Sequence, residues 1–170
     1  MKKAKKWWIP LLLGAMLMAV LVGVVWARPK SQLGASTYKI TIPGSAFHAN
    51  DEAYNWSADY GWIHSDSGSS EFSAAVPMPP GTWTVQSVSL YVDDGNATLK
   101  ACVELQRVKV SGISQTMAYV CSPAGVSAGV QGYKTTAISP SVLKPSHAPN
   151  LQLFINGPDI DVWAVRIVYY

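Results

Sequence analysis

The histidine and carboxylate residues that could do chemistry in this chain stand in polar stretches. His48 lies near Asp51 and Glu52, and His64 lies two residues before Asp66. Imidazole and carboxylate groups suit zinc and other divalent ions, but neither spacing matches a recognised metal site. Both clusters are surrounded by Ser, Gly, Asn and Asp, as solvated loops are. The sequence therefore predicts no metal centre and no cofactor.

Catalytic patterns are equally weak. A nucleophilic serine commonly sits in a sharp turn between a strand and a helix, and no serine here is followed by a helical pattern. A glycosidase needs two carboxylates facing a cleft. Asp93-Asp94 and the pair Asp159 and Asp161 are candidates, but each lies beside a turn sequence, Gly95-Asn96 or Gly157-Pro158. We predict that the chain is not an enzyme.

Four aromatic residues recur at even spacing: Tyr54, Trp56, Tyr60 and Trp62. Side chains at even spacing on one extended segment share a face, so these rings would lie together. An exposed row of flat rings is a usual basis for stacking on sugars, because ring faces attract polarised C–H groups. The alternative, which is favoured here, is that the four rings cap one end of the core.

The chain has two cysteines, Cys102 and Cys121. Two strand-like runs flank Ser111-Gly112, which suits a two-residue hairpin turn with glycine available for positive φ. This register places the cysteines directly opposite each other, at a separation that a disulfide can bridge. We therefore predict a disulfide on the outer face of the hairpin.

The elements that must position these residues follow an export segment. Lysines at positions 2, 3, 5 and 6 precede an uncharged apolar run at residues 7–27, with Arg28 and Lys30 beyond it. The run spans about 31 Å as a helix, enough to cross a bilayer, which slightly favours an anchor. Val25-Trp26-Ala27 also offers a cleavage site, so residues 1–27 are a signal peptide or an anchor. Both interpretations predict an extracytoplasmic protein, anchored facing outward or secreted, with the membrane as partner if residues 7–27 are retained.

The basic charge of the chain belongs mostly to this segment. Of the thirteen Lys and Arg residues four precede the apolar run, which leaves nine against ten Asp and Glu. Residues 28–170 therefore carry a formal charge of −1. Without a basic stripe, this balance gives no support to nucleic-acid binding.

Residues 28–35 are polar and small, as a linker is, and residues 36–170 show short alternating runs with no helical periodicity. The runs cover residues 36–43, parts of 54–64, 71–78, 83–93, 97–110, 113–121, 132–139, 151–155 and 160–170. In one of them Val88, Leu90 and Val92 alternate with polar residues, which predicts one apolar face and one wet face. Eight or nine such strands predict an all-β, antiparallel, jelly-roll-like β-sandwich.

Three segments carry a resemblance to exported bacterial single-domain β-sandwich proteins with no assigned activity. They are Ile42-Pro43-Gly44-Ser45-Ala46-Phe47, residues 72–93 with Pro79-Pro80-Gly81 at their centre, and Val165-Arg166-Ile167-Val168-Tyr169-Tyr170. The resemblance implies a jelly-roll-like fold and an extracytoplasmic location, and it supplies no catalytic residues.

The sequence thus favours a non-catalytic binding or structural role with a glycan or another cell-surface partner. One alternative is a carbohydrate-binding module that uses the four aromatic rings. Another is a surface filament or assembly subunit, because the apolar closing run at residues 160–170 could pair with the sheet edge of a neighbouring molecule.

Overall fold

The computed structural model describes residues 36–66 and 68–170, which form two antiparallel sheets packed face to face. The predicted jelly-roll-like β-sandwich is therefore confirmed. The expected leader at residues 1–27, with its membrane-spanning run, and the linker at 28–35 lie outside the described residues. Among the residues described, no helix has the length and apolar character needed to cross a bilayer.

Twelve strands make up the described part of the chain. They are β1 (Tyr38–Pro43), β2 (His48–Ala49), β3 (Trp56–Asp59), β4 (Trp62–Ser65), β5 (Ser70–Ala75), β6 (Trp83–Asp94), β7 (Ala101–Lys109), β8 (Ser114–Cys121), β9 (Gln131–Thr135), β10 (Val142–Leu143), β11 (His147–Ile155) and β12 (Ile160–Tyr169). Every predicted run contains a strand. The count exceeds nine because the run at 54–64 divides into β3 and β4, and because the two-residue strands β2 and β10 carry no alternating pattern.

The larger sheet has seven strands with β6 and β12 paired at its centre. On its other side β12 pairs with β1 and β4, and β4 pairs with β3. Strands β9 and β10 pair with the free side of β6. The smaller sheet has five strands in the order β2-β5-β11-β7-β8.

The core lies between the two sheets and confirms the predicted apolar face of β6. Val88, Leu90 and Val92 are fully buried there. The expectation that the opposite face of β6 is wet is wrong for Ser87 and Ser89, which are 2% and 8% exposed. Their position on the central strand explains the burial, because side chains of the neighbouring strands flank them on both sides.

The predicted disulfide between Cys102 and Cys121 is confirmed, with the two Cα atoms 4.0 Å apart and Cys102 buried. The predicted two-residue turn is wrong. The Lys109 amide donates to the Ile113 carbonyl, so three residues form the loop. A bulge at Met117 shifts the β7–β8 pairing back by one residue, and the two departures cancel at the cysteines.

Gly44, in the 3-10 turn Gly44–Ala46 after β1, allows the chain to pass closely against the larger sheet. A Cβ at this position would come within 2.0 Å of the Val162 carbonyl oxygen and within 2.9 Å of the Ile63 amide nitrogen. Glycine is therefore required here. The contact fixes the turn against β4 and β12, which carry part of the candidate site.

Candidate functional site

A cavity of about 460 Å³ opens where β4, β6 and β12 meet at one end of the larger sheet. Its titratable lining residues define what we call the acidic pocket: His64, Asp66, Asp93, Asp159 and Asp161. His64 comes from β4, Asp93 from β6 and Asp161 from β12, where it lies directly opposite Asp93. Pairing of distant strands therefore assembles the pocket.

The His64 ring is held by polar partners on both nitrogens. Its Nε2 lies 2.6 Å from Asp66 Oδ1 and 2.9 Å from Ser57 Oγ, and its Nδ1 lies 3.1 Å from Asp161 Oδ1. The ring also stacks on Trp62, with the centroids 4.9 Å apart. These contacts fix the orientation of the imidazole.

Ser57, His64 and Asp161 have the order of contacts found in serine hydrolases, in which the histidine accepts the serine proton. Asp66 prevents that role because its carboxylate contacts the same ring nitrogen at a shorter distance. The Asp66 carboxylate and the Ser57 hydroxyl therefore compete for Nε2. The Ser57 hydroxyl also donates to Asp66, at 3.3 Å. The serine and the histidine therefore both contact Asp66, and the cluster is a hydrogen-bonded network of Ser57, His64, Asp66 and Asp161.

Sequence reasoning missed one serine whose neighbours match a nucleophile motif. Gly125-Val126-Ser127-Ala128-Gly129 has the Gly-x-Ser-x-Gly spacing, but it lies in the loop between β8 and β9 with no helix after it. The Ser127 hydroxyl donates to the Gly129 carbonyl at 3.1 Å and accepts from the Asp94 amide at 2.8 Å. No histidine contacts it among the described residues, so Ser127 closes a loop.

The adjacent aspartates Asp93 and Asp94 have different roles. Asp93 lines the acidic pocket, whereas Asp94, the next residue, is fully buried. The Asp94 carboxylate accepts from the Ser122 hydroxyl and from the Asn96 amide, each at 3.0 Å. Asp94 therefore joins β6 to the segment that follows β8.

The structure separates the four aromatic residues, so they do not share one face. The chain reverses at Tyr60 and Gly61, both with positive φ, and β3 pairs with β4. Trp56 lies on the core side, edge-on to Phe72 at 5.9 Å, whereas Trp62 lies on the outer side. Tyr60 is 91% exposed at the turn.

Tyr54 precedes β3 and is half-buried. A ligand-binding role for the four aromatic residues stays a prediction.

Sequence reasoning also missed Trp163. It is the extra residue of a bulge in β12, between Val162 and Ala164, and it is 37% exposed. Bulges often redirect a side chain at functional positions. Trp163 lies two residues after Asp161 in the chain.

The other histidines lie away from the acidic pocket. His48 is exposed on the edge strand β2, and His147 accepts the Lys144 amide at its Nδ1, at 3.1 Å. Desolvation, with Arg107, Lys109 and Lys144 nearby, lowers the pKa of His147 below its ordinary value of 6.5. Among the described residues no group of three or more His, Cys, Asp or Glu side chains is arranged to hold a metal ion.

A second concavity of about 420 Å³ lies farther along the outer face of the larger sheet. We call it the basic groove and define it by all its lining residues: Lys39, Gln86, Ser87, Ser89, Tyr91, Lys134, Thr136, Arg166 and Val168. Strand β6 runs through both regions. Tyr91 in the groove and Asp93 in the pocket are two residues apart, so both side chains lie on the outer side of this strand.

This chain resembles known proteins in its three-dimensional structure and not in its sequence. No protein-family model matches the sequence, and no curated protein matches it. The C-terminal family 6 carbohydrate-binding module of the laminarinase LamC from Zobellia galactanivorans is 13% identical, with a TM-score of 0.50 over 76% of this chain and 98% of that module. At this identity the likeness shows a shared β-sandwich fold.

Two further family 6 modules show weaker likeness. The module from Clostridium cellulolyticum, solved with xylose, is 12% identical, with a TM-score of 0.47 over 74% of this chain and 94% of its own. The β-1,3-glucan-binding module from Bacillus halodurans is 13% identical, with a TM-score of 0.45 over 76% of this chain and 92% of its own.

Proposed function

We propose that the chain is a non-catalytic carbohydrate-binding module that works outside the cytoplasm. The observation that carries the proposal is the Trp62 ring, which stacks on the His64 ring in the lining of a polar cavity on the larger sheet. The sandwich fold shared with the laminarinase module supports it. The disulfide supports an oxidising compartment, in keeping with export by the basic and apolar leader.

Trp62, Trp163 and Tyr60 would supply the apolar contacts to the sugar. Flat rings offer large contact areas with little loss of conformational freedom, and their faces attract polarised C–H groups. Trp62 is held in place by its stacking on His64. A ring that is already oriented costs less free energy to use in binding.

Asp93 of the acidic pocket would supply polar contacts to the sugar. A hydrogen bond from a sugar hydroxyl to a carboxylate is charge-assisted and stronger than one between neutral groups. His64 engages Asp66 and Asp161, whereas Asp93 receives one long contact from Ser127, at 3.4 Å. Asp93 therefore keeps acceptor capacity for a ligand.

Binding of laminarin and neutral arabinoxylan, measured by isothermal titration calorimetry, tests the proposal. We expect the wild type to bind at least one of them, and Trp62→Ala and Trp163→Ala to lower the affinity about tenfold or more. Tyr119→Ala is the matched control, since Tyr119 is an exposed ring on β8 of the smaller sheet. Thermal melts check folding. Absence of binding to both glycans, or an equal loss in the control, would refute the proposal.

The filament alternative gains no support from the closing strand. Strand β12 pairs with β6 on one side and with β1 and β4 on the other. A strand with partners on both sides would have to leave its own sheet to join a neighbouring molecule. A binding module is therefore the better proposal.

A further inference from the structure

The basic groove brings three cations from separate strands to one outer face. Arg166 on β12 lies opposite Ser89, and Lys134 on β9 lies opposite the same serine from the other side. In the next row Val168 pairs with both Ser87 of β6 and Lys39 of β1. Pairing of four strands thus places Lys39, Lys134 and Arg166 around the buried serines.

In the described part of the chain, no acidic side chain joins these cations in the groove. None of the described residues that line the groove is Asp or Glu. Within residues 36–66 and 68–170, the close contacts between a basic nitrogen and a carboxylate all belong to His64 in the acidic pocket. Since residues 28–170 carry a formal charge of −1, the groove is a local excess of positive charge and not a reflection of the whole domain.

The Ser87 hydroxyl is an independent sign of a ligand. Within residues 36–66 and 68–170 it is the one buried side-chain polar atom without a hydrogen-bond partner, and Ser87 is 2% exposed. Burying a hydroxyl without a partner costs free energy, so nearly all such groups in folded proteins are paired. An acceptor brought by a ligand would satisfy it.

The floor of the groove is already ordered around Tyr91. The Tyr91 ring lies against Gly132, where a Cβ would come within 3.0 Å of it, and the Arg166 guanidinium lies 4.9 Å from its centroid. Arg166 Nε also donates to the Thr41 hydroxyl, at 3.4 Å. Stacking and this hydrogen bond restrain the guanidinium and leave its terminal N–H groups for a ligand.

We propose that the basic groove binds the carboxylate or sulfate groups of an acidic polysaccharide. Arg166 and the two lysines would make charge-assisted contacts to the anion, and the Ser87 hydroxyl would donate to one of its oxygens. The sugar part of this ligand class rests on the proposed function, whereas the requirement for an anion rests on the groove alone.

The shape of the groove favours a glycan over other polyanions. A flat bilayer surface cannot reach Ser87, which is buried within the concavity. Single-stranded nucleic acids need successive open ring faces for their bases, but Tyr91 is the one aromatic residue among the described lining residues, and Arg166 covers it. The volume of about 420 Å³ is ordinary for a small-molecule site.

Polygalacturonate and its fully methyl-esterified form differ mainly in charge, so titration calorimetry with both tests the proposal. We expect the wild type to bind polygalacturonate at least tenfold more tightly than the ester. Arg166→Gln and the double variant Lys39→Gln/Lys134→Gln should each weaken binding about tenfold. Ser87→Ala should weaken it about threefold and leave the fold intact, because its hydroxyl makes no hydrogen bond with any described residue.

The matched control is Lys100→Gln/Lys109→Gln, which removes two positive charges outside the groove. We expect this variant to bind as the wild type does. Equal loss of binding in the control, or equal binding of the ester, would show general attraction between charges and overturn the proposal. Arg166-dependent binding of phosphatidylserine vesicles or of oligothymidylate that exceeds binding of polygalacturonate would overturn the choice of a glycan.

The two proposals fail separately. Trp62→Ala and Trp163→Ala test the rings beside the acidic pocket with neutral glycans, whereas the glutamine variants test the groove with charged ones. Binding of polygalacturonate without any binding of laminarin or arabinoxylan would refute the neutral-glycan site and support the groove. The reverse result would refute the groove.

Discussion

The acidic pocket and the basic groove occupy the same face of one sheet but treat their polar groups in opposite ways. In the pocket, both ring nitrogens of His64 contact carboxylates, those of Asp66 and Asp161. In the groove, Lys39 and Lys134 make no ion pair with any described residue, and the Ser87 hydroxyl has no partner.

The difference separates polar groups that support the fold from polar groups that remain available to a ligand. A charge that is already paired gains little from a ligand, because the existing contact must first be replaced. A charge or hydroxyl without a protein partner has no intramolecular contact to give up when a ligand arrives, so its cost of binding is limited to lost hydration and ordering. We therefore expect substitutions around His64 to change stability and substitutions in the groove to change binding.

The largest expected effect on stability is that of Asp94→Ala, the buried residue next to Asp93 of the acidic pocket. The change leaves the buried Ser122 hydroxyl without its acceptor and removes the hydrogen bond from the Asn96 amide. We expect the free energy of unfolding in urea to fall by about 2–3 kcal/mol. Asp93→Ala, one residue away at the pocket surface, is the control and should change it by less than about 0.5 kcal/mol. Equal effects would show that burial does not separate the two aspartates.

A smaller change in stability should distinguish the acidic pocket from the basic groove. His64→Ala removes the partner of two carboxylates and the ring stacked on Trp62. Because His64 and Asp66 are 25% and 33% exposed, solvent weakens these contacts, and we expect a loss of about 1 kcal/mol. Arg166→Ala in the groove should cost less than about 0.5 kcal/mol. A larger loss for Arg166 than for His64 in urea unfolding would reverse the assignment of the two regions.

The smallest effect concerns His147, which lies outside both regions and has cations as neighbours where His64 has carboxylates. Its pKa is lowered, so the unfolded chain binds a proton more readily than the folded protein does. The contribution of His147 to the free energy of unfolding is therefore fully present above pH 6.5, the ordinary pKa of histidine. It declines as the pH falls toward and through the lowered pKa of His147.

Thermal melts between pH 7.5 and 5.0 should show a slightly weaker pH dependence for His147→Gln than for the wild type. Binding in the groove at pH 7.5 should be unchanged. A steeper decline in the variant would contradict the sign of the shift.

The sequence predicts the fold because the signals are local. Alternation along β6 identifies Val88, Leu90 and Val92 as core, and the register of one hairpin brings Cys102 and Cys121 together. The sandwich follows from many such runs without helical periodicity. The core face of β6 and the cysteine pairing both depend on residues that are close to one another in the sequence.

The site depends on contacts that alternation does not report. His64 and Asp161 are 97 positions apart in the sequence, and the pairing of β4 with β12 brings them together. The bulge at Trp163 interrupts the alternation of β12, so the sequence pattern does not predict on which side of the sheet its ring lies. Burial of Ser87 arises from strands on either side of β6. One signal was present in the sequence: Gly61 after Tyr60 favours a turn, which divides the row of aromatic residues.

The crosslink between Cys102 and Cys121 also governs which edge of the smaller sheet can exchange partners. Strand β8 is the last strand on that side, and the bond ties it covalently to β7. Detachment of β8, the step by which an edge strand swaps into another copy of a protein, is therefore blocked for as long as the environment stays oxidising. Production in a reducing cytosol would lift this restraint, and intertwined dimers would then be the expected contaminant.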